Sequence, residues 1–142
     1  MLYFDTSYLA RLYIRDAGWS EVRELAATDA IACCLHGQAE TAAAFHRKFR
    51  DGGFNYENLR NVLAQFDKDC KEGAFEWLPL SEAVIDLVSE TFARLPAGIH
   101  LRAADAIHLA CAAENSITKI YSNDRRLIEG ATYFGLTGIN II

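Results

Sequence analysis

Short apolar runs alternate along this chain with longer segments whose apolar positions recur at helical spacing. The runs Leu2–Asp5, Ile31–Cys34, Phe75–Leu78, Lys119–Ser122 and Gly138–Ile142 read as strands. Between them, Thr6–Arg15, Ser20–Ala27, Gly37–Arg50, Asn55–Lys71, Ser81–Leu95, Arg102–Asn115 and Asn123–Tyr133 read as helices. Phe54, Leu59, Val62, Leu63 and Phe66 fall at helical spacing, as do Leu80, Val84, Leu87, Val88, Phe92 and Leu95. The two long helices Asn55–Lys71 and Ser81–Leu95 leave too little room for a barrel. Strand–helix alternation of this kind predicts an α/β fold, a three-layer α/β/α sandwich around a parallel sheet. Pro79 and Pro96 are the only prolines, and no Ser- or Gly-rich linker or internal repeat divides the chain. A single domain over residues 1–142 is the expectation.

Composition narrows the function classes. At 51% hydrophobic and 23% charged residues, a disordered chain is excluded. The net charge of −5 excludes a protein that binds nucleic acid by bulk charge, though not a nucleic-acid enzyme whose own carboxylates create the deficit. Cys33, Cys34, Cys70 and Cys111 form neither a disulfide framework nor a C-x-x-C metal motif, so buried reduced thiols in a cytoplasmic protein are expected. The start Met-Leu-Tyr-Phe-Asp has no basic leader, and no apolar stretch approaches the roughly 18 residues that a membrane span requires.

In an open α/β sheet, ligands gather at the carboxyl ends of the strands. The first strand ends Phe4-Asp5-Thr6-Ser7 and the fourth ends Tyr121-Ser122-Asn123-Asp124, each with an acid followed at once by a helix. Either acid could be a helix N-cap. Two more, Glu40 in Ala39-Glu40-Thr41-Ala42 and Asp105 in Ala104-Asp105-Ala106-Ile107, stand in apolar surroundings near helix starts. The helix dipole is a sufficient reason for an acid there, less so for Glu40 with its small neighbours. If Asp5, Glu40, Asp105 and Asp124 converge, protons or cations must relieve their repulsion. Oxygen ligands without Cys select hard divalent ions, Mg²⁺ or Mn²⁺, which assist in-line phosphoryl displacement.

These motifs resemble those of the PIN-domain ribonucleases, and within them the VapC toxins of prokaryotic toxin–antitoxin modules. Leu2–Tyr13 is similar to the family's first motif, Ala39-Glu40 with Arg47 to its second, Leu101–Ala110 to its third and Tyr121–Leu127 to its fourth. The resemblance implies that the four carboxylates surround a Mg²⁺ or Mn²⁺ site, with Asp5 and Asp105 as direct ligands and Glu40 and Asp124 acting through water or a second ion. It implies that Thr6 and Ser122 orient carboxylates, Ser122 replacing the more usual Thr. It further implies RNA as substrate, a cognate VapB-type antitoxin, and a homodimer. The segment Cys33-Cys34-Leu35-His36-Gly37 departs from the family's Ser/Thr-rich approach to the second motif.

No Ser or Cys nucleophile motif is present, which leaves metal-activated water as the expected nucleophile. His108, three residues after Asp105, is expected to pack and hydrogen-bond locally, and His36, His46 and His100 fit no catalytic arrangement. Arg11, Arg15, Arg47, Arg102 and Arg125 stand near the motifs as phosphate contacts, although solvated helix faces would also carry them. The Phe54–Phe66 helix and the Leu9, Leu12, Tyr13 face could wall an antitoxin groove, or simply form core. Two other classes stay open: a PIN-like interaction module without catalysis, and an Asp-dependent phosphatase, against which the run is Asp5-Thr6-Ser7 and Lys119 precedes the fourth strand instead of ending it.

Overall fold

The computed structural model describes residues Met1–Ile142. Five strands, β1 (Leu2–Phe4), β2 (Ile31–Cys34), β3 (Glu76–Leu78), β4 (Lys119–Tyr121) and β5 (Thr137–Ile139), form one sheet in the order β3-β2-β1-β4-β5. Every pairing is parallel. The helices are α1 (Thr6–Arg11), α2 (Trp19–Ala26), α3 (Gly37–Arg50), α4 (Tyr56–Lys71), α5 (Glu82–Arg94), α6 (Ala103–Glu114) and α7 (Arg125–Ala131), with a 3₁₀ turn at Thr132–Phe134.

Side chains alternate across each strand and so build two cores. Phe4, Ile31 and Cys33 pack with Tyr8, Val22, Phe45, Leu59 and Phe66 from α1 to α4. Tyr3, Ala32, Cys34 and Ile120 pack on the opposite face with Val84, Leu109 and Leu127 from α5 to α7. This is the expected three-layer α/β/α sandwich. Parallel crossovers place helices over both faces, which explains why β2 is buried at every position. All four cysteines are free, and Cys33, Cys34 and Cys111 are buried. No helix is long and apolar enough to cross a membrane.

Three elements end two or more residues before the periodicity predicts. The first helix stops at Arg11, because the chain turns through Gly18 in the left-handed region and Arg11 reaches the Ala17 carbonyl across that turn. The last helix tightens into the 3₁₀ turn and ends at Gly135, again left-handed. The fifth strand covers Thr137–Ile139 instead of reaching Ile142, since the Asn140 side chain accepts from the Tyr8 hydroxyl at 3.0 Å and from the Ile142 amide at 3.1 Å.

The strand order positions the site. From the central β1, the chain first builds outward through β2 and β3, then returns to the other side of β1 with β4. A crevice therefore opens at the carboxyl ends of β1 and β4, where the crossovers diverge. The acids that follow these two strands, Asp5 and Asp124, become the N-caps of α1 and α7.

Candidate active site

Asp5, Glu40, Asp105 and Asp124 line one open cleft of about 820 Å³ at this end of the sheet. Four separate segments supply them: the β1–α1 junction, the first turn of α3, the first turn of α6 and the β4–α7 junction. Thr6 also lines the cleft, while Ser122 is fully buried beneath it.

Asp5 is almost completely buried and held by three donors. The Ser122 hydroxyl donates to Oδ2 at 2.5 Å, and the Ser7 hydroxyl and Tyr8 amide donate to Oδ1 at 2.6 and 3.2 Å. Burial nonetheless dominates and pushes its carboxyl above the ordinary value, against the pull of His108 and the two serines. Ser122 serves two acids, for its oxygen also accepts the Asp124 amide at 2.8 Å. Asp124 caps α7 through the amides of Arg126 and Leu127 with one oxygen and turns the other toward Arg102 at 3.4 Å. The capping role read from sequence is thus real for both Asp5 and Asp124, and each keeps an oxygen for something else.

Glu40 is treated differently. Burial raises its carboxyl, but His108, Thr6 and His36 outweigh it and hold it down at about 2. His108 Nε2 and the Thr6 hydroxyl each stand 2.7 Å from Oε2, and His36 Nε2 stands 3.5 Å away. Close packing permits this reach: a Cβ on Gly37 would lie 2.4 Å from Cys33 Sγ, so only glycine lets α3 start this near β2.

Asp105 has the least protein compensation. Its Oδ2 is buried with no hydrogen-bond partner, and Arg102 Nε stands 3.6 Å away. Burial and then the neighbouring Asp124 raise its carboxyl above the ordinary value. An orphaned buried oxygen amid convergent carboxylates and hydroxyls fits a hard divalent cation, which would satisfy that oxygen and the like-charge repulsion together.

The family model for the PIN domain matches residues 2–132. The chain belongs to the PIN-domain family. Ribonuclease VapC47 of Mycobacterium tuberculosis is 31% identical over 144 residues, covering 95% of this chain and 93% of that protein. This bears out the VapC-type resemblance read from the motifs. Among solved structures, FitAcB of Neisseria gonorrhoeae superposes with a TM-score of 0.75 at 17% identity, covering 99% of this chain and 97% of that one. VapBC2 of Rickettsia felis, bound to a DNA fragment from its promoter, superposes with a TM-score of 0.70 at 16% identity over 100% of both chains.

Within this PIN domain the anticipated cations separate into two groups. Arg11, Arg47, Arg102 and Arg125 line the cleft, together with Lys48. Arg15 does not. Because α1 ends early, residue 15 lies on the following turn, and its guanidinium sits over the Trp19 ring at 5.1 Å. Histidine is the main revision. His108 is buried as expected, yet it bridges motifs by touching both Tyr3 and Glu40. His36, assigned no role from sequence, packs against His108 with ring centroids 4.2 Å apart and planes tilted by 46°, and its Nε2 stands 3.5 Å from Glu40. The spacing of His36 and Glu40, four residues apart at a helix start, was the signal for that contact.

Proposed function

We propose that this chain is a metal-dependent endoribonuclease of the VapC type, the toxin of a toxin–antitoxin pair, with residues 1–142 acting as one PIN domain. One observation carries the reading: four carboxylates from distant segments meet in one cleft, and the buried Asp105 Oδ2 has no donor. The 31% identity to a VapC ribonuclease along nearly the whole chain supports the same activity.

Asp5 and Asp105 would hold Mg²⁺ or Mn²⁺ directly, with Glu40 and Asp124 acting through water or a second ion. Held there, such an ion would supply an activated water and neutralise charge developing on the scissile phosphate. The chain's own groups do the rest. Ser122 and Ser7 hold the Asp5 carboxylate in one orientation, and Thr6 holds Glu40. Arg11 is fixed by the Ser7 and Ala17 carbonyls, which places one cation on the cleft wall at little further entropic cost. Arg47, Arg102 and Arg125 line the same cleft and would receive the RNA phosphates on either side. Setting the four acids aside leaves 15 acids against 14 bases, so the chain's acidity is concentrated where cations belong.

The partner would be a VapB-type antitoxin. A second groove of about 810 Å³ supports this: Leu12, Tyr13, Ile31, Phe54, Val62 and Phe75 line it, rimmed by Arg23, Asn61 and Asp69. Leu12, Tyr13 and Phe54 are among the residues expected as its walls, whereas Leu9 and Phe66 are core. An amphipathic segment of an antitoxin would fit such an apolar floor with a polar rim. A homodimer in the cytoplasm completes the reading.

The test is direct. Purified protein freed of antitoxin should cleave RNA with added Mg²⁺ or Mn²⁺ and stop with EDTA. Asp5→Asn and Asp105→Asn should each abolish cleavage in a folded protein. Cleavage that persists in either variant overturns the site assignment. A folded native chain inert toward RNA under every divalent ion would make it a non-catalytic PIN module instead.

A further inference from the structure

Behind Glu40 the cleft changes from oxygen to nitrogen chemistry. His36 stands at the N-cap of α3 and Glu40 lies one turn on, so both face the same side. His108, from α6, meets them across the gap, and the ligating atoms of all three lie within 4.8 Å of one another. His36 does not perform the usual service of an N-cap residue, because its side chain caps no amide of α3. Its ring is turned inward, with Nε2 3.2 Å from the Ala104 carbonyl and 3.5 Å from Glu40, and its Nδ1 is buried without a hydrogen-bond partner. The other nitrogen of His108 is fixed at 2.9 Å by the Tyr3 hydroxyl, which in turn accepts the Cys34 amide. That ring is braced from behind, the arrangement that orients a metal-ligating imidazole.

We propose that His36, Glu40 and His108 form a binding site for a borderline transition-metal ion, Zn²⁺ foremost, chemically distinct from the oxygen site of Asp5, Asp105 and Asp124. Two imidazoles and a carboxylate suit Zn²⁺ and leave a fourth position open, whereas Mg²⁺ favours oxygen and retains its waters. Tetrahedral Zn²⁺ with ligands at its usual bond lengths separates neighbouring donor atoms by roughly 3.3 Å. The two separations to Glu40 Oε2, 2.7 and 3.5 Å, lie on either side of that value, so small rotations admit the ion. Each ring stays neutral by carrying its proton on Nδ1, which on His108 faces the Tyr3 oxygen. Glu40 belongs to both sites, so Zn²⁺ bound here withdraws it from the cleft and inhibits Mg²⁺- or Mn²⁺-driven cleavage. That inhibition rests on the ribonuclease reading; the binding does not.

The experiment titrates Co²⁺ and then Zn²⁺ into the metal-stripped full-length protein with Mg²⁺ in excess, read by visible absorption and calorimetry. One Co²⁺ per chain should give the intense bands of four-coordinate geometry and be displaced by Zn²⁺. His36→Gln should weaken Zn²⁺ by at least about 100-fold, the upper end of what losing a mere orienting partner costs. Asp5→Asn should leave Zn²⁺ binding in place. Undiminished affinity in His36→Gln, or loss of Zn²⁺ in Asp5→Asn, overturns the proposal. His108→Gln should behave as His36→Gln does; should this buried substitution unfold the chain, His36, less deeply buried than His108, decides the matter alone. Zn²⁺ should also inhibit cleavage by the native chain more strongly than by His36→Gln. Absence of any cleavage would defeat the ribonuclease reading while the binding result stands.

Discussion

Asp105 and Glu40 face the same cleft from the first turns of two helices, and the fold treats them in opposite ways. Glu40 is hydrogen-bonded by Thr6 and His108 with His36 3.5 Å away, and its carboxyl is held down at about 2. Asp105 has one orphaned oxygen and a like charge beside it, and its carboxyl is raised. Asp5 is intermediate, well supplied with hydroxyl donors but so deeply buried that desolvation prevails. The protein therefore satisfies one acid of the site by itself and leaves another to be satisfied from outside. A carboxylate with its full set of donors is a structural member even before any ion arrives. One without them costs stability until a cation binds, and that cost is the thermodynamic mark of a functional group.

Removing Asp105 breaks the contrast most completely. On the proposed reading, Mn²⁺ should raise the Tm of the native protein, and Asp105→Asn should eliminate both that rise and cleavage. In EDTA at neutral pH it should melt above the native chain, because a raised carboxyl pKa means that folding disfavours the charged form. A lower melting temperature in EDTA would show that Asp105 is paid back within the protein after all. Glu40→Gln should do the reverse to stability. Its depressed pKa contributes about 1–2 kcal/mol above the ordinary Glu range, after discounting for partial exposure, and a thermal melt would read that loss. Cleavage should fall as well, but less than in Asp105→Asn. Ser122→Ala tests the intermediate case. It deprives buried Asp5 of a donor and leaves the Asp124 amide unpaired, for a loss of about 1–3 kcal/mol and weaker Mn²⁺ binding by calorimetry. Ser122→Thr, which keeps the hydroxyl, should restore both.

Much of this was legible along the chain because it is local. A strand that ends in Asp and is followed by Thr-Ser announces both a cap and a sheet mouth, and Asp5 fills both roles. The Ala-rich run around Asp105 announced a helix packed on most sides, and α6 is buried through Ala106 and from His108 to Ala112. What was not legible depends on contacts across the sheet. Nothing near His108 in sequence indicates that Tyr3, 105 residues away, would hold its ring toward Glu40. Nor does the chain around Arg15 reveal that Gly18 turns it away from the cleft, because the helical pattern continues past Arg11 while the backbone does not. Pattern locates each acid, but the number of donors that each receives is a property of the packed molecule.

The smallest expected effect is also the most discriminating, because differences of opposite sign should fade over different pH windows. For Asp105 the folded pKa is raised, so the native protein in EDTA carries its penalty only while the carboxyl is charged. As the pH falls through that raised value the native chain protonates itself, and the stability advantage of Asp105→Asn should shrink. It should be gone below the ordinary Asp value of about 3.9. For Glu40 the folded pKa is depressed, so its contribution is fully present above the ordinary Glu value of about 4.3. The deficit of Glu40→Gln should therefore persist at mildly acid pH, where the Asp105→Asn advantage is already fading. It should close only as the pH approaches about 2. Melting the three proteins across this range and comparing differences cancels the titration of acids that do not interact with either group. Two differences that fade together would mean that both carboxyls are satisfied alike, and the division of the site into a self-sufficient half and an ion-demanding half would fail.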